Sequence, residues 1–202
     1  MRARQSNPLR KVGRTRAVAL GERVLLRYPL AADRAEYAAV RLVSRAFLEP
    51  WEATPPGGPG AFTLRRFDQF LATSNTEVSH RFLVCLREPR SAVGQIGIGG
   101  IMRGAFQSGF IGYWIAQEFS RQGYMTEALG LALRIAFVRL KLHRVEANII
   151  PSNTPSKSLV KRLGFRHEGL ARRYLLINNR WQDHEHWAMT VEDWRATSAK
   201  VR

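Results

Sequence analysis

The sequence predicts an α+β domain built on a mixed, mostly antiparallel twisted sheet with flanking helices. Three stretches carry that expectation. Residues 110–115 read as an extended segment, 117–123 as a short polar turn, 124–140 as a long helix and 144–150 as a second extended segment, before a helix that closes at Leu163, Gly164 and Phe165. Two further runs, 80–87 and 92–101, are joined by Glu88, Pro89, Arg90 and Ser91, the pattern of an antiparallel hairpin. A second hairpin, 168–177 with 180–190, turns on Asn178 and Asn179, a pair able to adopt positive φ.

Length and composition narrow the class. With 202 residues, 45% hydrophobic content and five Trp, the chain is expected to fold as one domain with a substantial core. No apolar run reaches the roughly 18 residues of a membrane span, so a soluble, cytoplasmic protein without a membrane partner is expected. The single cysteine, Cys85, lies in an apolar run and reads as a buried structural thiol rather than a nucleophile. An intramolecular disulfide is impossible, which fits a reducing compartment. The formal net charge of +16 either attracts polyanions such as nucleic acid, ribosomal particles or a phosphate-rich cofactor, or reflects an arginine-rich proteome. The first acidic residue is Glu22, so 1–21 reads as a basic arm, disordered rather than a transit peptide.

Residues 23–27 look like a first strand, stopped by Pro29. Asp33 is placed to N-cap a helix running through Ser44, with Ala35, Tyr37, Ala38, Val40, Leu42 and Val43 as its apolar side. The Pro- and Gly-rich stretch 54–60 is expected to be a flexible loop. Trp51, just before it, suits either a substrate lid or the core. A second helix is expected over 61–72. Gly94, Gly97, Gly99 and Gly100 mark bulges or close backbone approach in the strand that carries them. In the long helix, Met125, Ala128, Leu129, Ala132, Leu133, Ala136, Phe137 and Leu140 recur at helical spacing and form its core face. His143 is expected to pack rather than react.

The turn at Ser120, Arg121, Gln122, Gly123, Tyr124 and Met125 opens directly onto that helix. Several N–H groups without intrahelical partners would point into one small space, a seat for a phosphate or pyrophosphate. No Walker loop is present, and no Gly-x-Gly-x-x-Gly stands at a strand-to-helix junction. The chain beyond the helix sharpens the signal of the turn: a strand, then Asn153-x-x-Ser156, then Leu163-Gly164-Phe165.

Together with Phe47-Leu48-Glu49-Pro50-Trp51-Glu52, Gly112-Tyr113-Trp114-Ile115, His143-Arg144-Val145-Glu146-Ala147-Asn148 and Trp181-x-Asp183-His184, these motifs make the chain resemble the GNAT acetyltransferases. Within them it is similar to the RimJ/RimL-type ribosomal-protein-alanine N-acetyltransferases, over roughly 24–194. The resemblance implies a GNAT domain at 22–195, with a short tail at 196–202 and a central splayed strand pair. It implies acetyl-CoA as co-substrate, its pyrophosphate on Arg121, Gln122, Gly123, Tyr124, Met125 and Thr126, and its pantetheine arm along Trp114 and Ile115. Ser120 and Met125 depart from the usual family turn. Trp51, Glu52 and Tyr113 are the implied acceptor contacts.

The implied reaction is direct attack of a neutral amine on the thioester. It needs a proton acceptor for the amine and a proton donor for the departing thiolate. Many relatives carry a Tyr donor where Val160 stands, which leaves Ser156 as donor or as a helix cap. Asn153 is either a cofactor contact or the N-cap of its helix. Glu146 and Glu168 are the candidate bases, and the low pKa of an α-amine, near 8, reduces the need for either. Asp183, His184, Glu185 and His186 alternate between two faces of a strand, so no metal site is expected. The expected partner is the N-terminus of a ribosomal protein, with the ribosome or rRNA attracted by charge. Acetylation of a small amine such as an aminoglycoside or polyamine, or a ribosome-binding assembly role without catalysis, are the alternatives.

Overall fold

The computed structural model describes residues 17–53 and 64–199. The loop expected at 54–60 and most of the basic arm lie outside the described residues. The described strands form one sheet in the order β1-β2-β3-β4-β5-β6-β8-β7. They are β1 Ala19–Leu20, β2 Val24–Arg27, β3 His80–Leu86, β4 Ala92–Met102, β5 Ser108–Ile115, β6 Arg144–Ile149, β7 Arg166–Ile177 and β8 Arg180–Thr190. Every pairing is antiparallel except that of β5 with β6. The helices are α1 Arg34–Val43, α2 Arg45–Leu48, α3 Leu64–Thr73, α4 Tyr124–Arg134, α5 Thr154–Arg162 and α6 Val191–Ala199.

Strand alternation sorts the side chains to two faces. On one face Val145, Ala147 and Ile149 of β6, Ile111 of β5 and Met189 of β8 pack with Ala128, Leu129, Ala132 and Leu133 of α4 and Val160 of α5. On the other, Tyr37 of α1 and Phe67 and Phe70 of α3 close over Leu25, Leu83 and Cys85, with Trp114 against them. Among the described residues, that second core covers β2 to β5 and does not extend over the same face of β6 and β8. Burial pushes the Cys85 thiol up to about 11, the state of a structural cysteine.

Both hairpins form, and Asn178 and Asn179 take φ of 46° and 60° as a tight turn requires. A Cβ on Gly94 would stand 2.4 Å from the Trp114 carbonyl oxygen, the close backbone approach its composition suggests. Several details differ from what the sequence suggests. Ala19 and Leu20, inside the stretch read as an arm, pair with β2. The long helix becomes π-helical over Ile135–Arg139. α6 runs into the stretch read as a tail. His143 is exposed and meets Glu192 at 3.2 Å instead of packing.

Asp33 stands at the expected N-cap position of α1 but does not cap it with its side chain. Its carboxylate makes no cap bond; it accepts two hydrogen bonds from the Arg27 guanidinium, at 2.6 and 2.8 Å, and one from the Leu30 N–H at 2.7 Å. A buried arginine outcompetes a helix end because the uncompensated charge would cost more than an unsatisfied amide. α1 likewise buries Tyr37 and Arg41, one turn apart, and exposes Leu42 and Val43. Arg41 turns inward because its guanidinium lies 4.7 Å over the Trp114 ring and pairs with Glu52.

Replacing Asp33 with Ala would leave Arg27 buried and unpaired. We expect a loss of about 3–5 kcal/mol, read from the urea unfolding midpoint, and a much smaller loss for exposed Glu49→Ala.

Candidate active site

β5 and β6 pair only at Ser108 with Arg144, Gly109 with Val145 and Phe110 with Glu146. Beyond that point β5 continues to Ile115 and β6 to Ile149 without bonding each other. The gap leaves backbone donors and acceptors on facing edges, which a strand-like guest can satisfy.

α4 begins at the wide end of the gap. Gly123 is its N-cap at φ 83°, and Arg121 also has positive φ, 59°. Such alternation turns successive N–H groups toward one point. The first intrahelical bond runs from Glu127 N–H to the Gly123 carbonyl. The N–H groups of Gly123, Tyr124, Met125 and Thr126 therefore precede the helical ladder, at the helix end whose dipole favours an anion. Arg23, from before β2, joins them: its Nη1 donates to the Gln122 carbonyl at 3.0 Å and its guanidinium lies 4.7 Å over the Tyr124 ring. Glu127 anchors this arrangement by accepting from the backbone N–H groups of Arg23 and Val24. Arg23 lies almost 100 residues from the turn, so no local motif signals it.

Across the gap, the Tyr113 hydroxyl meets the Ser156 hydroxyl at 2.8 Å. Burial pushes the Tyr113 phenol up to about 12, so it keeps its proton at neutral pH. Asn153 is the N-cap of α5, its Oδ1 accepting from the Ser156 N–H at 3.1 Å. The Ser156 hydroxyl is thus not needed as the cap and points to Tyr113 instead.

This frame of parted strands, N-terminal amides and hydroxyl pair matches known proteins. An acetyltransferase (GNAT) domain model matches residues 23–166. The chain belongs to the GNAT acetyltransferases. It is 33% identical to the ribosomal protein uS5-alanine N-acetyltransferase of Escherichia coli over 181 residues, 86% of this chain and 90% of that protein. It is likewise 33% identical over 129 residues to the probable N-acetyltransferase YjcK of Bacillus subtilis, 64% of this chain and 71% of that one. Among solved structures, Mycobacterium smegmatis RimJ in complex with CoA-disulfide superposes with a TM-score of 0.79 at 32% identity, covering 89% of this chain and 90% of that one. The protein is an acetyl-CoA-dependent N-acetyltransferase similar to the RimJ type.

The residues present fit acetyl-CoA: four amides at the α4 N-terminus and the Arg23 guanidinium suit a pyrophosphate, and the parted edges beside Trp114 and Ile115 suit an amide-bearing arm. When bound, the co-substrate supplies an acyl thioester. Of the other sequence candidates, Ser156 and Tyr113 come together directly. Gln122 turns its side chain back to the Glu118 carbonyl, and Arg121 is exposed at the turn. Met125 is buried in the core rather than lining the turn with its side chain. Trp51 is half-exposed and Glu52 pairs with Arg41, which reaches Trp114.

The two glutamates lie near the closed end of the gap. Glu146 Oε1 accepts from Arg144 Nε at 2.6 Å. Glu168 is held by Arg144 and by Arg166, which bring its carboxyl down to about 2 from an ordinary 4.5. A carboxylate so held is a poor proton acceptor at neutral pH.

Two measurements test this arrangement. Gly123→Ala places a Cβ 2.9 Å from Arg23 Nη2 at a left-handed φ, and should raise the KM for acetyl-CoA about tenfold in steady-state kinetics. For Glu168, the folded-state pKa lies below the unfolded value, so its ion pairs stabilise the protein above pH 4.5 and lose that contribution as pH falls toward 2. Urea midpoints of Glu168→Gln should therefore fall less steeply than the wild type across that window.

Proposed function

We propose that the chain acetylates the N-terminal α-amine of a ribosomal protein in the cytoplasm, with Ser156 as proton donor to the departing thiolate. The observation that carries this reading is a trough beside the parted strands, on the face opposite α4. Its volume is about 300 Å³, and Gly97, Gly99 and Gly112 line it together with Arg81, Gln95 and Trp114. A Cβ on Gly112 would meet nothing within 4 Å, so the floor is open where a side chain would fill it. Such a surface admits the extended end of a polypeptide with a small first residue. Identity to the uS5-alanine enzyme across most of both chains supports the same reading.

The segment around Trp51 and the tip of the β7–β8 hairpin meet through a bridge between Ala53 and Ile177, and Glu52 pairs with Arg41, which lies over the trough residue Trp114. This rim would place Trp51 and Glu52 at the entering peptide. Arg81 packs 5.3 Å from the Phe70 ring, pairs with no carboxylate among the described residues, and has its pKa lowered by burial. Together with the net charge of +16, that disfavours polycationic small amines such as aminoglycosides. The same charge suits approach to rRNA-rich particles.

In the proposed role, the Ser156 hydroxyl gives its proton to the thiolate and is resupplied through Tyr113, whose raised pKa keeps the pair protonated. Intact-mass spectrometry of a cognate ribosomal protein mixture with acetyl-CoA should show one acetyl group on one N-terminus. Ser156→Ala should slow that transfer by about 100-fold with acetyl-CoA affinity kept. An unmodified mixture, despite acetyl-CoA binding, would move the acceptor to a small amine or leave an assembly role.

A further inference from the structure

Asn148 Oδ1 and His186 Nε2 are buried and have no hydrogen-bond partner among the described residues. They are neighbours, because Asn148 of β6 and His186 of β8 are direct partners in the antiparallel ladder. Both face away from α4 and α5, since Ala147, Ile149, Trp187 and Met189 occupy that side. Asn148 stands two residues beyond Glu146, the last residue of β6 to pair with β5, and so lies where the strands have parted. The pair therefore sits on the same face as the trough, beside the gap.

Their other contacts hold them in place. Asn148 Nδ2 donates to the Tyr174 hydroxyl at 3.3 Å, and the Tyr174 ring stands edge-on to His186 with 4.9 Å between centroids. His184, also against Tyr174, is buried and has its pKa lowered by that burial, so it adds no positive charge at neutral pH. Charged groups on this face of the neighbouring strands include Arg144 and Glu146 of β6 and Arg166 and Glu168 of β7, already paired with one another. A buried acceptor without a donor is costly, and two side by side on rigid strands mark a place for a ligand that brings several N–H groups. A primary amine is such a group.

We propose that Asn148 Oδ1 and His186 Nε2 seat the acceptor amine, and that His186 takes the proton its nitrogen loses. The nitrogen lone pair forms the C–N bond to the acetyl carbonyl carbon. The C–S bond breaks with its electron pair going to sulfur, one N–H proton passes to His186 Nε2, and the thiolate takes a proton from the Ser156 hydroxyl. His186 acts as acceptor in the tautomer protonated at Nδ1. The assignment rests on the proposed ribosomal-protein function only for the identity of the amine as an α-amine.

The test uses the full chain, with alaninamide and an alanyl ribosomal peptide as separate acceptors. His186→Gln should lower kcat/KM about 100-fold near neutral pH. Asn148→Ala should raise the acceptor KM about tenfold. Calorimetry should show acetyl-CoA affinity unchanged within about twofold for both. Nitrogen-15 NMR should show the His186 Nε2 resonance shifting when alaninamide is added with CoA. His186→Leu removes an unpartnered polar atom, so its thermal midpoint should hold or rise while activity falls, which separates the role from a structural one. Wild-type kcat/KM in His186→Gln, or an Nε2 resonance unmoved by alaninamide, would overturn the proposal. Acetylation of alaninamide but of no ribosomal protein would instead overturn the substrate reading and leave the amine seat standing.

Discussion

Three paired residues join β5 to β6, and the site depends on the pairing ending there. A sheet interior normally satisfies its own backbone groups; here the edges part and leave donors and acceptors for a guest. The parting also passes from one face of the sheet to the other. α4 and its N-terminal amides lie on one side, and the trough and the Asn148 and His186 pair lie on the other. A co-substrate held at the turn and along the gap can thus meet an acceptor that never shares its entrance.

The rest of the fold keeps that opening rigid. α4 and α5 pack one continuous core across both parted strands, so neither strand can swing without disturbing Val145, Ala147, Ile149 and Ile111. Tyr113 and Ser156 span the opening by a hydroxyl pair. Glu127 ties β2 to the start of α4 and so delivers Arg23 to the anion turn. Away from the site, the buried Arg27 and Asp33 pair fixes the entry into α1, which brings Tyr37 to Gln95 and Arg41 to Trp114, two residues that line the trough.

The division of electrostatic labour is clear in the carboxylates. Arg144 draws both Glu146 and Glu168 toward the closed end of the gap, where they hold the strands' register. Guanidinium pairing makes Glu168 a stable anion and a weak base. In the proposed mechanism, proton traffic falls to groups outside these ion pairs: the hydroxyls of Ser156 and Tyr113 on one face and the imidazole of His186 on the other.

The sequence by itself determined the mixed sheet, both hairpins, the core face of the long helix and the anion turn. Each is a local signal: alternation, helical spacing, an Asn pair, a Gly at a helix start. The family resemblance also picked out Ser156 and Asn153, each with a helix cap as its alternative; the structure gives the cap to Asn153 and frees the Ser156 hydroxyl. Only the tertiary structure decided the surroundings of Arg23, Tyr113, Arg41 and His186. Arg23 and Gln122 are almost 100 positions apart, and Arg41 reads as a surface charge until Trp114 and Glu52 meet it. His186 is, in the sequence, one member of an alternating acidic and histidine run; its value comes from the residue beside it on another strand, Asn148, and from the lack of a donor for either among the described residues. Burial and partnership are properties of the packed chain, and a linear pattern cannot carry them.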